Sequence, residues 1–202
     1  MRQPEELGDY RLGDIQDWAS LIFPRVMRET IILDQDGKPV VGSDGKKKTR
    51  TQMVGYVLVI DRGKFRDRAQ WKLPGGHKKK VERCKPGERP DWTPLDTALR
   101  ELEGETGIRM PRHAFSYCGK WLHWREDHWK CLFVAELGED DVAWMNGHHP
   151  ENEGEEAKFF TVEEFYALVR ESKFMREHYE MLVEFAAVLP FGRDKQLAEA
   201  IA

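Results

Sequence analysis

The sequence predicts an α/β fold, with a mixed β-sheet layered between helices. Three observations predict it. Met53–Ile60 is strongly apolar and has the length of a buried central strand. The alternating segments Phe115–Trp124 and Trp129–Leu137 read as two strands of a hairpin. A well-delimited amphipathic helix follows Thr93, and helical patterning returns over Thr161–Glu171 and Lys173–Val188. Strands flanked in this way by helices fit an α/β/α sandwich.

The elements follow in order. Residues 1–30 read as an irregular start and a short helix with Ile15, Trp18, Leu21 and Ile22 on one side, stopped by Pro24. Thr30–Leu33 and Val40–Val41 flank Asp36-Gly37, a hairpin signal, and Asp44-Gly45 opens a loop through Lys46-Lys47-Lys48. Asp61-Arg62-Gly63 turns toward Gln70–Leu73. The run Trp71-Lys72-Leu73-Pro74-Gly75-Gly76 ends a strand in a rigid turn and two glycines, where backbone can approach a ligand. The next helix has Thr93 as N-cap, Pro94 at its first position and Asp96 in a variant capping box. Leu95, Ala98, Leu99 and Leu102 form its apolar stripe, and Gly107 with Ile108 ends it. Gly138–Pro150 is rich in acidic and turn residues, and Pro190 ends the last helix.

The chemistry concentrates at the end of the Thr93 helix, in Arg100-Glu101-Leu102-Glu103-Gly104-Glu105-Thr106-Gly107-Ile108. Glu101 and Glu105 stand at i,i+4 on one face, where like charges destabilise a helix by about 0.2–0.5 kcal/mol unless compensated. A hard divalent cation is the natural compensator. A solvated acidic face is the plainer alternative. The glycine turn upstream argues against it.

These two segments resemble the Nudix hydrolases, whose signature G-x5-E-x7-R-E-U-x-E-E-x-G-U (U aliphatic) commonly follows W-x-L-P-G. Here Leu73-Pro74-Gly75-Gly76 begins the pattern and Arg100 to Ile108 ends it. The resemblance covers about residues 53–170 and implies a single Nudix domain over residues 1–202, with N-terminal and C-terminal helical extensions. There are two departures. Gly76 to Ile108 spans 33 residues where the signature has 23, the surplus lying in His77–Trp92. Glu82 keeps the first spacing, whereas Glu88 has the Pro-Gly-Glu context; either would be the glutamate that supports Arg100. Gly104 also replaces the first glutamate of the E-E pair, and Glu103 is expected to face away and not to substitute for it.

The resemblance implies a metal-dependent pyrophosphohydrolase cleaving a nucleoside diphosphate linked to another moiety, by water attack on phosphorus with Mg²⁺ or Mn²⁺. Arg100, Glu101, Glu105, Glu153 and Glu156 are the expected catalytic residues. The expected metal ligands are the Gly75 carbonyl, Glu101, Glu105 and Glu156, with Glu155 an alternative on the acidic loop. Expected substrate contacts are Arg66, Arg68 and Lys78 for phosphates, and Trp121 and Trp124 for a base. His123 and His128 flank a turn and read more readily as exposed turn residues than as paired metal ligands. Gly104 and the lengthened motif keep a second reading open, a non-catalytic module that binds a nucleotide or RNA.

Composition fits the enzyme. Hydrophobic residues make up 40%, enough for a substantial core, and the net charge of −4 gives no global basic field for a nucleic-acid partner. No apolar run approaches a membrane span or a signal-peptide core. The three cysteines, Cys84, Cys118 and Cys131, form no C-x-x-C, which suits a reducing, cytoplasmic setting. A homodimer is left open.

Overall fold

The computed structural model describes residues 17–62, 69–123, 127–145 and 155–184. Their elements are β1 (Trp18–Ile31), β2 (Thr49–Asp61), β3 (Gly75–His77), α1 (Pro94–Thr106), β4 (Phe115–Leu122), β5 (Trp129–Leu137), α2 (Glu139–Met145), β6 (Glu155–Thr161), α3 (Val162–Arg170) and α4 (Arg176–Glu184). Among the described residues the strands form one six-stranded sheet in the order β4-β5-β1-β2-β6, with β3 alongside β1. β1 and β5 are parallel and every other pair is antiparallel, so the sheet is mixed.

Both faces of the sheet are covered, as the fold class requires. On one face Leu95, Ala98 and Leu102 of α1 pack with Trp18, Ile22, Val57 and Phe133. On the other, Phe165 and Tyr166 of α3 and Met181 and Leu182 of α4 pack with Leu21, Tyr56, Leu58 and Trp71. Strand alternation sorts every sheet residue to one face or the other. Among the described residues no helix is long and apolar enough to cross a membrane.

Of the short helix expected with Ile15, Trp18, Leu21 and Ile22 on one side, Trp18, Leu21 and Ile22 instead belong to the first part of β1, and Ile15 lies outside the described residues. Trp18 to Val26 are all buried because this strand lies inside the sheet with helices on both faces. Such a strand reads as a continuous apolar run, which periodicity alone does not separate from a helix. Pro24 does not stop it. β3 pairs with Ala19–Leu21 and β2 with Arg25–Ile31, so Pro24 falls between the two partners. The N–H of Ile22, two residues earlier, points to that same side and donates to the Pro74 carbonyl at 2.9 Å. At Pro24 no ladder bond is lost there.

The Asp36-Gly37 and Asp44-Gly45 signals are both turns, with Gly37 and Gly45 at φ 76° and 75°. The acidic segment after Gly138 contains the short helix α2, where only a turn was expected. The helical pattern to Val188 is described as far as Glu184. The stop at Pro190 lies outside the described residues.

Candidate functional site

The turn at Pro74-Gly75-Gly76 is pinned from both sides. Lys72 exchanges backbone hydrogen bonds with Val59 of β2, at 2.8 and 3.0 Å. Trp71 does the same with the segment before α4, donating to Lys173 and accepting from Met175, both at 2.8 Å. The Leu73 N–H donates to His178 Nδ1 at 3.1 Å. Burial pushes the His178 pKa down to about 3, which keeps this imidazole a neutral acceptor. Gly75 has φ 150°, and a Cβ there would stand 2.2 Å from the Ser20 carbonyl oxygen. A Cβ on Gly76 would stand 2.5 Å from Glu101 Oε1. Two successive glycines are therefore needed for different reasons, the first for strand pairing and the second to leave room for a carboxylate.

Helix α1 delivers that carboxylate. Thr93 and Asp96 form a reciprocal capping box, Pro94 opens the helix, and Gly107 closes it at φ 75°. Within this frame Glu101 and Glu105 both face the β3 backbone. Glu105, 8% exposed, accepts from the Gly75 N–H at 2.7 Å and from Lys72 Nζ at 2.9 Å. Burial pushes its pKa up to about 7 despite Lys72, and Glu101 adds to the rise. Burial likewise raises the pKa of Glu101, with partial relief from Arg100. A buried carboxylate titrating near neutrality is suited to accept a proton. Paired carboxylate oxygens with no nitrogen or sulfur donor suit a hard cation.

Arg100 ties the pieces together. Its Nη1 donates to Glu101 Oε1 at 2.6 Å and its Nη2 to the His77 carbonyl at 2.9 Å. Its Nε and Nη2 both reach Asp91, the latter at 2.7 Å. Asp91, 4% exposed, also accepts from Thr97 Oγ1 and from the Lys79 N–H. Asp91 is thus the acidic partner of Arg100, in place of Glu82 or Glu88. Glu82 lies exposed in a 3-10 turn, and Glu88 is occupied by Lys79 Nζ and the Lys85 N–H. The Asp91 N–H returns to the Lys79 carbonyl at 3.0 Å. That clasp closes the base of the loop 80–90, so the surplus residues project without displacing α1.

The open side of this assembly is a groove of about 740 Å³. Glu88, Glu101, Glu103, Gly104, Glu105 and Glu155 line it together with Lys79, Arg89, Arg100 and Arg109. It combines carboxylates with four cationic side chains, a composition able to hold a cation and a polyanion at once.

The NUDIX domain model matches residues 43–182. The chain belongs to the Nudix family. No curated protein matches it. Among solved structures, a mutT/nudix family protein from Listeria innocua is 16% identical with TM-score 0.47, over 86% of this chain and 94% of that one. The NUDIX domain of Shewanella oneidensis NrtR, solved with ADP ribose, is 15% identical with TM-score 0.45, over 93% and 97%. The T. brucei MERS1 protein, solved in its apo form, is 14% identical with TM-score 0.41, over 76% and 60%.

Within this Nudix chain, Arg100, Glu101, Glu105 and Gly75 are brought together. Glu156 is not. It pairs across the ladder with Ile60, on the face opposite α1, and its carboxylate lies 3.6 Å from Arg62. Glu155, one residue earlier, points to the α1 face and lines the groove. Strand parity decides between them. Trp121 is also on the far face, in a separate cavity with His123, Lys130 and Glu177. Lys78 lies over the Trp18 ring, 3.9 Å from its centroid, while the neighbouring Lys79 lines the groove. Glu103 does not face wholly away: it lies at the groove rim and pairs with Arg109 at 2.6 Å. Arg66, Arg68, Trp124 and Glu153 lie outside the described residues.

Sequence reading missed Asp91, Lys72 and His178. Lys72 carried a signal, since a lone cation between Trp71 and Leu73 in an extended segment must face away from their core. Asp91 lies just ahead of the capping box, nine residues before Arg100, but no local pattern announces its burial. His178 carried no signal beyond an apolar helix face.

Proposed function

We propose that this chain is a divalent-cation-dependent Nudix pyrophosphohydrolase, formed as one domain, that cleaves the diphosphate linkage of a nucleoside diphosphate derivative. The observation that carries the reading is the placement of Glu101 and Glu105 side by side under the Gly75-Gly76 strand, in a groove that also holds Arg89, Arg100 and Arg109. The carboxylate oxygens of Glu101 and Glu105, with Glu155 across the groove, would hold Mg²⁺ or Mn²⁺. When bound, such an ion neutralises phosphate charge and acidifies water. Glu105 would be the principal ligand of that ion, and Glu101 either a second ligand or the base that accepts the proton of the attacking water. Arg89 and Arg109 meet the phosphate oxygens, while Arg100 orients Glu101.

One observation favours a second reading. Lys72 and Arg100 already place a fixed cation on each carboxylate. In a binding module these would replace the ion and leave the groove a nucleotide receptor without hydrolysis.

The test is a hydrolysis screen with Mg²⁺ and with Mn²⁺ over nucleoside triphosphates, nucleotide sugars, dinucleoside polyphosphates, NADH and ADP-ribose. Turnover that Glu105→Gln removes supports the enzyme. Nucleotide binding without turnover on any substrate supports the module.

A further inference from the structure

A second cluster of metal-binding donors lies at the open end of the β4–β5 hairpin, beside β3 and on the face away from α1. His123 and His128 face each other where the β4–β5 hairpin opens, joined by a 3.0 Å bond from the His123 N–H to the His128 carbonyl. Next along the ladder come the pairs Leu122↔Trp129 and Trp121↔Lys130. Lys130 pairs with Glu177 of α4, so His128, of the same parity, also lies on the α4 face. The carboxylate groove lies on the α1 face, and the two sites share no residue.

The donors converge. Asp127 Oδ1 is 3.0 Å from His123 Nδ1 and 2.7 Å from His128 Nδ1, and the three potential ligand atoms lie within 4.8 Å of one another. The imidazoles stack with centroids 4.3 Å apart and an interplanar angle of 21°. Their side chains are only 12% and 10% exposed, so they are not exposed turn residues. The ring of His77 on β3 adds a third imidazole 4.7 Å from that of His128. Tetrahedral zinc bonds to N and O at about 2.0–2.2 Å, which places its ligand atoms about 3.3 Å apart. The two Asp127 distances reach that by opening a few tenths of an ångström, and the two imidazole nitrogens stand no more than 4.8 Å apart.

We propose that His123, Asp127 and His128 form a binding site for a borderline divalent transition cation of the Zn²⁺ type, separate from the carboxylate groove. Two imidazole nitrogens and one carboxylate oxygen favour such an ion over Mg²⁺, which prefers oxygen donors. The Asp127 side chain is 55% exposed, so water completes the coordination. The ion ties the open end of the hairpin together beside β3, the strand that carries Gly75 and Gly76.

The experiment is calorimetric titration of the metal-free full chain with ZnCl₂, joined to ¹⁵N NMR of the histidine side chains. Glu105→Gln, with its carboxylate groove weakened, still takes up one equivalent. Affinity falls at least tenfold in His123→Gln and in Asp127→Asn, and Nδ1 of His123 and His128 shifts on Zn²⁺ addition. Asp127→Asn alters a side chain that is 55% exposed, and a wild-type melting temperature without Zn²⁺ separates loss of binding there from loss of folding. The proposal is overturned if no Zn²⁺ is taken up, if uptake is the same in both variants, or if uptake disappears with Glu105→Gln.

Discussion

The Lys72 ammonium lies 2.9 Å from Glu105 Oε1, while the other oxygen of that carboxylate accepts from the Gly75 N–H at 2.7 Å. The strand leading into the glycine turn thus supplies a cation and an amide to one helix carboxylate. Lys72 occupies the charge-balancing role that an added ion would fill, so the two compete. Lys72→Met at pH 8 should tighten Mn²⁺ binding by about tenfold, corresponding to about 1.4 kcal/mol. Titration followed by Mn²⁺ electron paramagnetic resonance reads it directly. Unchanged or weaker affinity would mean that the ammonium supports the ion instead of opposing it.

Glu105 makes stability depend on pH. Its carboxyl rises from 4.5 to about 7 on folding, mainly through burial. Between those values the folded chain holds a proton that the unfolded chain has released, so this group's contribution falls as pH rises. The ionised form is disfavoured by about 3 kcal/mol above pH 7. Glu105→Gln without added metal should therefore gain about 1–3 kcal/mol at pH 8 relative to pH 5, measured by urea unfolding at each pH. His178 has the opposite dependence between about 3 and 6.5, but it is present in both proteins and cancels in the comparison. With Mg²⁺ in excess the wild type should recover stability at pH 8 and the variant should not.

Helix α1 was legible almost residue by residue, because capping box, stripe and terminal glycine are local and agree with one another. β1 was not: over its buried first part the partners in β3 and β5 lie more than fifty residues away, and a doubly buried strand has no alternation to read. The candidate site divides in the same way. Glu101 and Glu105 follow from helical spacing, whereas the choice of Glu155 over Glu156 depends on the register of β6 against β2, which no local signal fixes. Asp91 was invisible for a related reason, since its partners Lys79 and Arg100 meet only when the loop closes on the helix.

That closure makes Asp91 testable against Glu88. Asp91→Ala removes a buried acceptor serving Arg100, Thr97 and the Lys79 N–H, and should destabilise the fold by about 2–3 kcal/mol. Activity should fall further than stability explains, because Arg100 then loses its fixed orientation toward Glu101. Glu88→Gln, at the groove rim and paired with Lys79, should lower melting temperature and activity less than Asp91→Ala does. A reversed ranking would return the role to the loop glutamate.

Gly76 separates position from fold. The Cβ of Gly76→Ala meets the far end of the Glu101 side chain, which can swing away, whereas the Cβ of Gly75→Ala meets the Ser20 carbonyl and cannot be relieved without moving β1. Gly76→Ala should remain folded and lose at least tenfold in turnover. Gly75→Ala should lower the melting temperature by several degrees. Circular dichroism and the hydrolysis assay together distinguish the two outcomes.

Gly104 offers a gain of function. Nothing lies within 4 Å of a Cβ placed there, and the position faces the groove between Glu101 and Glu105 along the helix. The Cβ of Gly104→Glu therefore meets nothing, and the variant supplies the carboxylate that the Nudix pattern has at this point. Replacing glycine inside a helix contributes up to about 1 kcal/mol, less so near the C-terminus. The added like charge opposes this without metal and reverses sign with it. The variant should be no more stable than wild type in chelator, more stable in Mg²⁺, and at least several-fold faster on any substrate the wild type hydrolyses. If turnover does not rise although Mg²⁺ binds more tightly, the missing glutamate is not what limits this groove, and the cations on its two existing carboxylates become the limiting feature.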